Sequence, residues 1–489
     1  MKGIKSVGEY RFRPLDTKGL PPGIPYIIGN EAAERFSFYG MKSILLVFMT
    51  TYLMQPGGEL DVFSTKEAEA WNHLFVASAY FFPVLGGILA DAFLGKYLTI
   101  ILLSLVYCVG HGCLAFMGFT GDTRLWLLAG LALIAIGSGG IKPCVSSHVG
   151  DQFCASNKQM LSKVFGWFYF SINLGAFLSG LLTPFLLEAR NLPNSLGGEI
   201  YPMVEFLVGS RGNGDIIFGP HYAFGLPGVL MALATLFFWL GRKDFTHIRP
   251  RGMIYFEETF SRESLSPLFR LTIIFSFVII FWALFDQIGT SWQIQARSLD
   301  RSLPNWIPVF GGKEILASQV AAVFNPLFIL ILIPLFSFYI YPLLSKVCEM
   351  TALKKMSMGF WVMGFAFSII SILQHFIDAG YFPSVGWQVL GCLFLTASEV
   401  MISITCLEFA YTQAPKTMKS LVMAFFLLTV SLGNFFTSQV KFLLIKQDGT
   451  SILTEVQEFW LWTGLILLTA FTFNFVIRRY KPVEHLHEA

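Results

Sequence analysis

The sequence predicts an all-α membrane protein with twelve transmembrane helices in two sets of six. Of its 489 residues, 54% are hydrophobic and only 13% are charged, whereas soluble proteins carry about 25% charged residues. Apolar segments long enough to cross a bilayer alternate with polar loops. The predicted spans are 27–53, 70–93, 97–119, 125–147, 161–188, 221–241, 269–294, 318–344, 356–377, 387–412, 419–445 and 457–478.

A basic connection divides the spans six and six. It contains five arginine or lysine residues between positions 242 and 268. From it we predict five consecutive units, which are an N-terminal segment 1–26, a first six-helix bundle 27–241, the linker 242–268, a second bundle 269–478 and a tail 479–489.

Lysine and arginine residues indicate the orientation. With the N-terminus inside, 21 of them fall on the inner side and 9 on the outer side, with Lys66 and Lys441 among the nine. Such residues concentrate on the cytoplasmic side of a membrane, so both termini should be cytoplasmic. The net charge of +3 is too small to indicate nucleic-acid binding. We therefore expect a multi-pass protein of the cell membrane, which contacts the lipid bilayer as a partner.

Four charged residues share one face of the first span. At about 100° per residue, Arg35 lies about 40° from Glu31, Lys42 about 20°, and Glu34 about 60° on the other side. Charges inside a bilayer are costly and normally mark an ion or substrate path. We predict that this helix lines a wet cavity.

Two sets of motifs carry a family resemblance. The segment Gly87-Ile-Leu-Ala-Asp91-Ala-Phe-Leu-Gly95-Lys96, between spans two and three, resembles the loop motif of the major facilitator superfamily. Further motifs resemble those of its proton-coupled oligopeptide transporter family, in order along the chain. These are Glu31-Ala-Ala-Glu34-Arg35, Gly137-Ser-Gly-Gly-Ile-Lys142-Pro143, Phe168-Tyr169-Phe-Ser-Ile-Asn173-Leu-Gly175, Phe281-Trp282-Ala-Leu-Phe-Asp286-Gln287 and Leu407-Glu408-Phe-Ala-Tyr-Thr-Gln-Ala-Pro415.

The resemblance implies a major facilitator fold that takes up di- and tripeptides together with protons by alternating access. Glu31, Glu34, Arg35 and His73 are its expected proton-coupling residues. Burial raises the pKa of a carboxyl group and a nearby cation lowers it. A peptide carboxylate that competes for Lys142 would therefore link peptide binding to protonation, and protons are the expected coupling ion, with no cofactor.

The substrate site is expected to hold the two charged ends of a peptide. Glu399 and Glu408 lie nine residues apart, about 180° on a regular helix, so both cannot face one cavity. The sequence around Glu408 matches the family position that holds the amino terminus, and Lys142 is the expected cation. The predicted substrate-binding residues are Tyr39, Lys42, Tyr80, Lys142, Asn173, Trp282, Asn325 and Glu408.

Lys42 and Asp286 are also predicted to form an outer gate. Lys42 lies two turns beyond Arg35, and Asp286 one turn beyond Trp282, on spans one and seven. These spans are equivalent helices of the two halves, so they should approach each other at the outer mouth. An ion pair there would form in one state of the transporter and separate in the other.

Other functions remain open from the sequence. The same fold could carry a small anion such as nitrate, or an amino acid, although a single anion needs no partner acid. A membrane sensor that binds peptides without moving them is a further alternative. An enzyme is not expected, because no histidine pair or Ser-His arrangement has a suitable context. We expect the transporter to function as a monomer.

Overall fold

The computed structural model describes residues 10–188, 219–259, 262–306, 311–413, 419–447 and 450–480. Its twelve long helices confirm the predicted all-α fold. Their bounds are α1 Ile24–Val47, α2 Thr65–Ile88, α3 Lys96–Phe116, α4 Thr123–Gly150, α5 Leu161–Glu188, α6 Gly219–Leu240, α7 Arg262–Phe285, α8 Ala317–Leu335, α9 Ala352–Asp378, α10 Gly386–Glu399, α11 Lys419–Leu443 and α12 Glu455–Arg479.

Ten of these helices are long and apolar enough to cross a membrane by their length and composition. Helices α1 and α11 both carry buried charges. Glu31, Glu34 and Arg35 lie in α1, and Lys441 lies in α11. Buried charges inside a membrane helix usually serve function, so functional side chains are expected on both helices.

Polar side chains begin several helices. Ser64 precedes α2 and accepts a hydrogen bond from the Glu67 amide, and Asp122 precedes α4 and accepts from the Arg124 amide. Thr454 caps α12 in the same way. These caps satisfy amides that have no partner within the helix, and they fix where each helix leaves the loop.

The apolar side chains form two separate main cores. One core lies among residues 24–245, and the other among residues 271–473. Within the first, α2 and α4 cross closely at Gly86, where a Cβ atom would lie 2.4 Å from the Gly140 Cα. The molecule is thus built from two helical halves, while the limits of the predicted linker 242–268 remain a prediction.

The two halves are joined at one end, which we call the distal end. It is the end where α1 finishes and α2 begins, opposite the end where α1 begins and α12 finishes. Gln293 donates to the Ser43 carbonyl at 2.9 Å, and Ser318 donates to Glu188 at 2.6 Å. Each of these bonds links a helix of one half to a helix of the other, so the distal end is closed in this structure.

Candidate functional site

A cavity of about 610 Å³ lies between the two halves. Binding sites for small molecules usually enclose about 300–1,000 Å³, so this cavity has the size of such a site. Both halves contribute to its wall. Seven of the predicted residues line it, namely Tyr39, Lys42, Tyr80, Asn173, Trp282, Asp286 and Asn325.

The three charged residues at the middle of α1 form a buried group behind the cavity wall. Arg35 Nε lies 2.7 Å from Glu31 Oε1 and 3.3 Å from Glu34 Oε2. Ser138 of α4 donates to Glu34 Oε1 at 2.8 Å. One guanidinium therefore faces two carboxyl groups, and a change in the protonation of either acid would change what Arg35 can bind.

Lys142 is buried without a hydrogen-bond partner among the described residues. Its Nζ lies 3.9 Å from the ring centroid of Phe38 and 4.2 Å from that of Tyr80. Aromatic faces attract a cation, but they do not replace the hydrogen bonds of an ammonium group. Tyr80 lines the cavity and Lys142 does not, so Lys142 lies behind the ring of Tyr80 and outside the cavity wall.

Lys42 and Asp286 meet, as predicted from their positions in spans one and seven; Lys42 lies on α1, and Asp286 directly follows the end of α7. Lys42 Nζ donates to Asp286 Oδ1 at 2.6 Å, and Asn434 Nδ2 donates to Asp286 Oδ2 at 2.7 Å. Since the Asn434 amide nitrogen donates, its oxygen accepts from His73 Nδ1, 2.8 Å away. His73 Nε2 lies 2.9 Å from the Thr290 hydroxyl and accepts a hydrogen bond from it when the imidazole is neutral. A chain of hydrogen bonds thus joins His73 to the ion pair, whose role as a gate stays a prediction.

Glu399, and not Glu408, lines the cavity, which corrects the placement expected for Glu408. Glu399 Oε2 accepts a hydrogen bond from Asn325 Nδ2 at 3.1 Å. Glu408 is exposed and is not part of the cavity wall. The segment Val400–Ile404 between them is π-helical, so the angle of a regular helix does not hold across it. The flanking sequence on which the choice of Glu408 rested gave the wrong acid for this wall.

Two cavity-lining residues, Tyr169 and Glu399, and the bridging Asn434 were missing from the predicted set. Tyr169 lies one turn before Asn173, which was predicted, and it belongs to the same motif; its backbone oxygen accepts from Asn173 Nδ2 at 3.0 Å. Asn434 was harder to predict from the sequence. It is a single polar residue on a helix, and its hydrogen-bond partners, His73 and Asp286, lie far from it in the sequence.

Two six-helix halves with a cavity between them, lined by polar and apolar side chains from both, define a secondary transporter of the major facilitator type. The PTR2 family model, described as the POT family, matches residues 97–266 and 255–457. Together these matches cover well over half of the chain. The protein therefore belongs to the POT family and is an integral membrane protein.

Named relatives agree with this membership. Peptide transporter 3 of Caenorhabditis elegans is 33% identical over 397 residues, which cover 73% of this chain and 51% of the relative. Solute carrier family 15 member 1 of Homo sapiens is 32% identical over 410 residues, or 74% of this chain and 53% of the relative. The chain thus spans about half the length of the curated relatives it matches.

A solved structure extends the similarity to the fold. The crystal structure of the POT family transporter PepTSo superimposes with a TM-score of 0.78 at 32% identity. The match covers 94% of this chain and 99% of the solved chain. It confirms the predicted major facilitator fold over nearly the whole chain.

Proposed function

We propose that this protein is a symporter that takes up di- and tripeptides with protons. The observation that carries the proposal is the charge arrangement of the central cavity. Glu399 supplies an acid from the second half. Lys142, behind the wall of the first half, supplies a buried cation that has no hydrogen-bond partner among the described residues. A peptide zwitterion carries one charge of each sign at its two ends, so it complements this arrangement.

The wall suggests how such a peptide binds. Glu399 receives the amino terminus and replaces the role first assigned to Glu408. Lys142 receives the carboxylate. Trp282 Nε1 is buried without a partner among the described residues and lines the cavity, so it can donate to a peptide carbonyl. Asn173 and Asn325, also in the wall, hydrogen-bond the peptide backbone.

The buried charges of α1 supply the coupling. When a proton neutralises Glu31 or Glu34, Arg35 loses one of its two anionic partners and can turn to a peptide carboxylate or to the remaining acid. His73 provides a second protonatable group, connected to the Lys42–Asp286 pair through Asn434. Protons are then the only coupling ion required, without a cofactor, and one chain is sufficient.

Alternating access follows from the way the halves are joined. The distal end is closed, so separating the halves there while closing the terminal end exposes the same cavity to the other side. If both termini are cytoplasmic, as the lysine and arginine distribution indicates, the distal end faces outward. The structure then corresponds to a state in the cell membrane that is closed on the outer side.

Other cargoes fit this site less well. A small anion such as nitrate needs a cation but has no use for Glu399 in the opposite wall. A peptide sensor would use the same cavity, and the coupling residues of α1 favour transport over sensing, because a binding protein gains nothing from a proton switch next to its ligand.

Binding to the purified protein tests the proposed substrate. Thermal-shift measurements compare dialanine with N-acetyl-dialanine, dialanine amide and nitrate. We expect dialanine to raise Tm clearly, each blocked peptide to raise it much less, and nitrate not to raise it. Equal shifts for the free and blocked peptides, or a shift with nitrate alone, would remove the basis for a zwitterionic substrate.

A further inference from the structure

A second group of charges joins the two halves beyond the Lys42–Asp286 pair. We call it the distal ion cluster, because it lies at the ends of α2, α11 and α12 that meet the distal loops. Its members are Lys66 and Glu69 of α2, Lys441 of α11, and Glu455 and Glu458 of α12. The cluster has two cations and three acids, a formal charge of −1.

Three ion pairs of this cluster cross between the halves. Lys441 Nζ lies 2.9 Å from Glu69 Oε2. Lys66 Nζ lies 2.6 Å from Glu458 Oε2 and 2.9 Å from Glu455 Oε1. Lys441 and Glu69 are fully buried, so water does not screen their attraction as it would at the surface. The cluster therefore holds α2 against α11 and α12.

Each half also keeps charge pairs of its own. Within the first half, Lys66 Nζ lies 3.3 Å from Glu69 Oε2. Within the second half, Lys441 pairs with Glu458, and Trp462 Nε1 donates to the same carboxylate at 3.2 Å. The fifth member, Glu455, has a side chain that is already 36% exposed. If the halves separate here, one neutral pair stays with each half and no uncompensated charge is left buried.

This division matters because an unpaired buried charge is strongly destabilising. If the contact between the halves were permanent, neither half would need an ion pair of its own. Two neighbouring hydrogen bonds between the halves can also break without leaving an unpaired buried group. Ser438 of α11 donates to the Ala70 carbonyl of α2, and Ser431 donates to the Ala77 carbonyl. A helical serine can turn instead to a carbonyl of its own helix, so these bonds also break without leaving an orphaned donor.

We infer that the distal ion cluster is a reversible lock that holds the distal end closed and opens once in each transport cycle. The inference rests on the proposed alternating access. It assigns a role to Lys66, Glu69, Lys441 and Glu458, none of which contributes to the cavity wall. The lock acts next to the His73 network, since Glu69 lies one turn from His73 on α2.

Distance measurements between the halves test the lock without peptide transport. Leu60 and Ile452 lie in the distal loops of the two halves, with relative exposures of 64% and 55%. In a chain whose seven native cysteines are replaced, spin labels at Leu60→Cys and Ile452→Cys report the separation by double electron–electron resonance. Glu69→Gln and Lys441→Met are the test variants, and Lys446→Met, an exposed lysine five residues beyond Lys441, is the matched control.

Each test variant should increase the population at long distance several-fold, while Lys446→Met keeps the parent distribution. The double variant Glu69→Gln/Lys441→Met covers the case in which a single change prevents folding, because it removes one charge of each sign and keeps the cluster at −1. It should shift the population equally. Folded variants with an unchanged distance distribution would overturn the lock, even if peptide uptake by the parent is established. Conversely, a shift in the variants supports the lock even if the parent carries another solute.

Discussion

Buried polar atoms without a partner inside the protein mark positions where a ligand can bind. Lys142 Nζ and Trp282 Nε1, near the central cavity, are two buried atoms without a hydrogen-bond partner in the part of the chain that the structure describes. An unsatisfied buried polar group costs about 1–3 kcal/mol, and more when it is charged. A peptide that forms hydrogen bonds with both atoms recovers this free energy. These two residues therefore indicate the position of a ligand better than the fully paired polar groups elsewhere in the helices.

Glu399→Gln should weaken binding of free dialanine by about tenfold or more, because a hydrogen bond to a charged group contributes about 1.5–3 kcal/mol and about 1.4 kcal/mol is tenfold in affinity. Binding of N-acetyl-dialanine should change little. Glu408→Gln, in the helix Thr405–Gln413 of the same predicted span, is the matched control and should leave both affinities unchanged. Competition binding measures all four values. A larger loss in Glu408→Gln than in Glu399→Gln would return the amino-terminus site to Glu408.

Substitution of the two acids of α1 should abolish proton coupling without abolishing movement of the substrate across the membrane. Glu31→Gln or Glu34→Gln removes a protonatable group beside Arg35, so accumulation driven by a proton gradient should be lost. Exchange of labelled for unlabelled peptide needs no net proton movement and should persist. Counterflow and gradient-driven uptake in liposomes measure the two activities, with the exposed Glu59→Gln as control. Full accumulation in both variants would show that these acids are not the switch.

At the scale of elements, the spacing of residues along a helix predicts contacts well where the helix is regular. Lys42 and Asp286 lie in stretches whose position follows from counting turns, and their contact is present. Glu399 and Glu408 flank a π-helical segment, and a regular-helix angle cannot be carried across such a segment. The sequence contains no signal from which that segment could have been predicted.

The α1–α7 ion pair should act as one unit. Lys42→Ala and Asp286→Ala each break a partly buried pair worth about 1 kcal/mol, so each should raise labelling of a reporter at Ser43→Cys several-fold in a chain without native cysteines. The double variant should label no faster than either single variant, because the same interaction is already lost. Lys446→Ala is the control. Additive effects in the double variant, or unchanged labelling throughout, would argue against a gate.

At the scale of the whole molecule, the twelve spans and the two halves were predictable because an apolar run of about twenty residues has few alternatives to a membrane helix. The burial of charged residues near the helix ends could not be predicted from the sequence. Lys66 and Lys441 looked like outer-loop residues in the charge count, yet both are buried inside helices. Without them the count is 21 against 7, which keeps the predicted orientation. Their acidic partners Glu69 and Glu458 compensate them only once the halves are assembled, and the sequence order does not reveal that pairing.

The proposed function requires that a proton gradient drives peptide uptake against the peptide concentration gradient. Purified protein in liposomes, given labelled dialanine with and without an inward proton gradient, measures this directly. We predict accumulation above the external concentration only when the gradient is present, and its loss when a protonophore collapses the gradient. Uptake that is the same with and without the gradient, or no uptake of dialanine by protein that binds it, would contradict proton-coupled peptide transport.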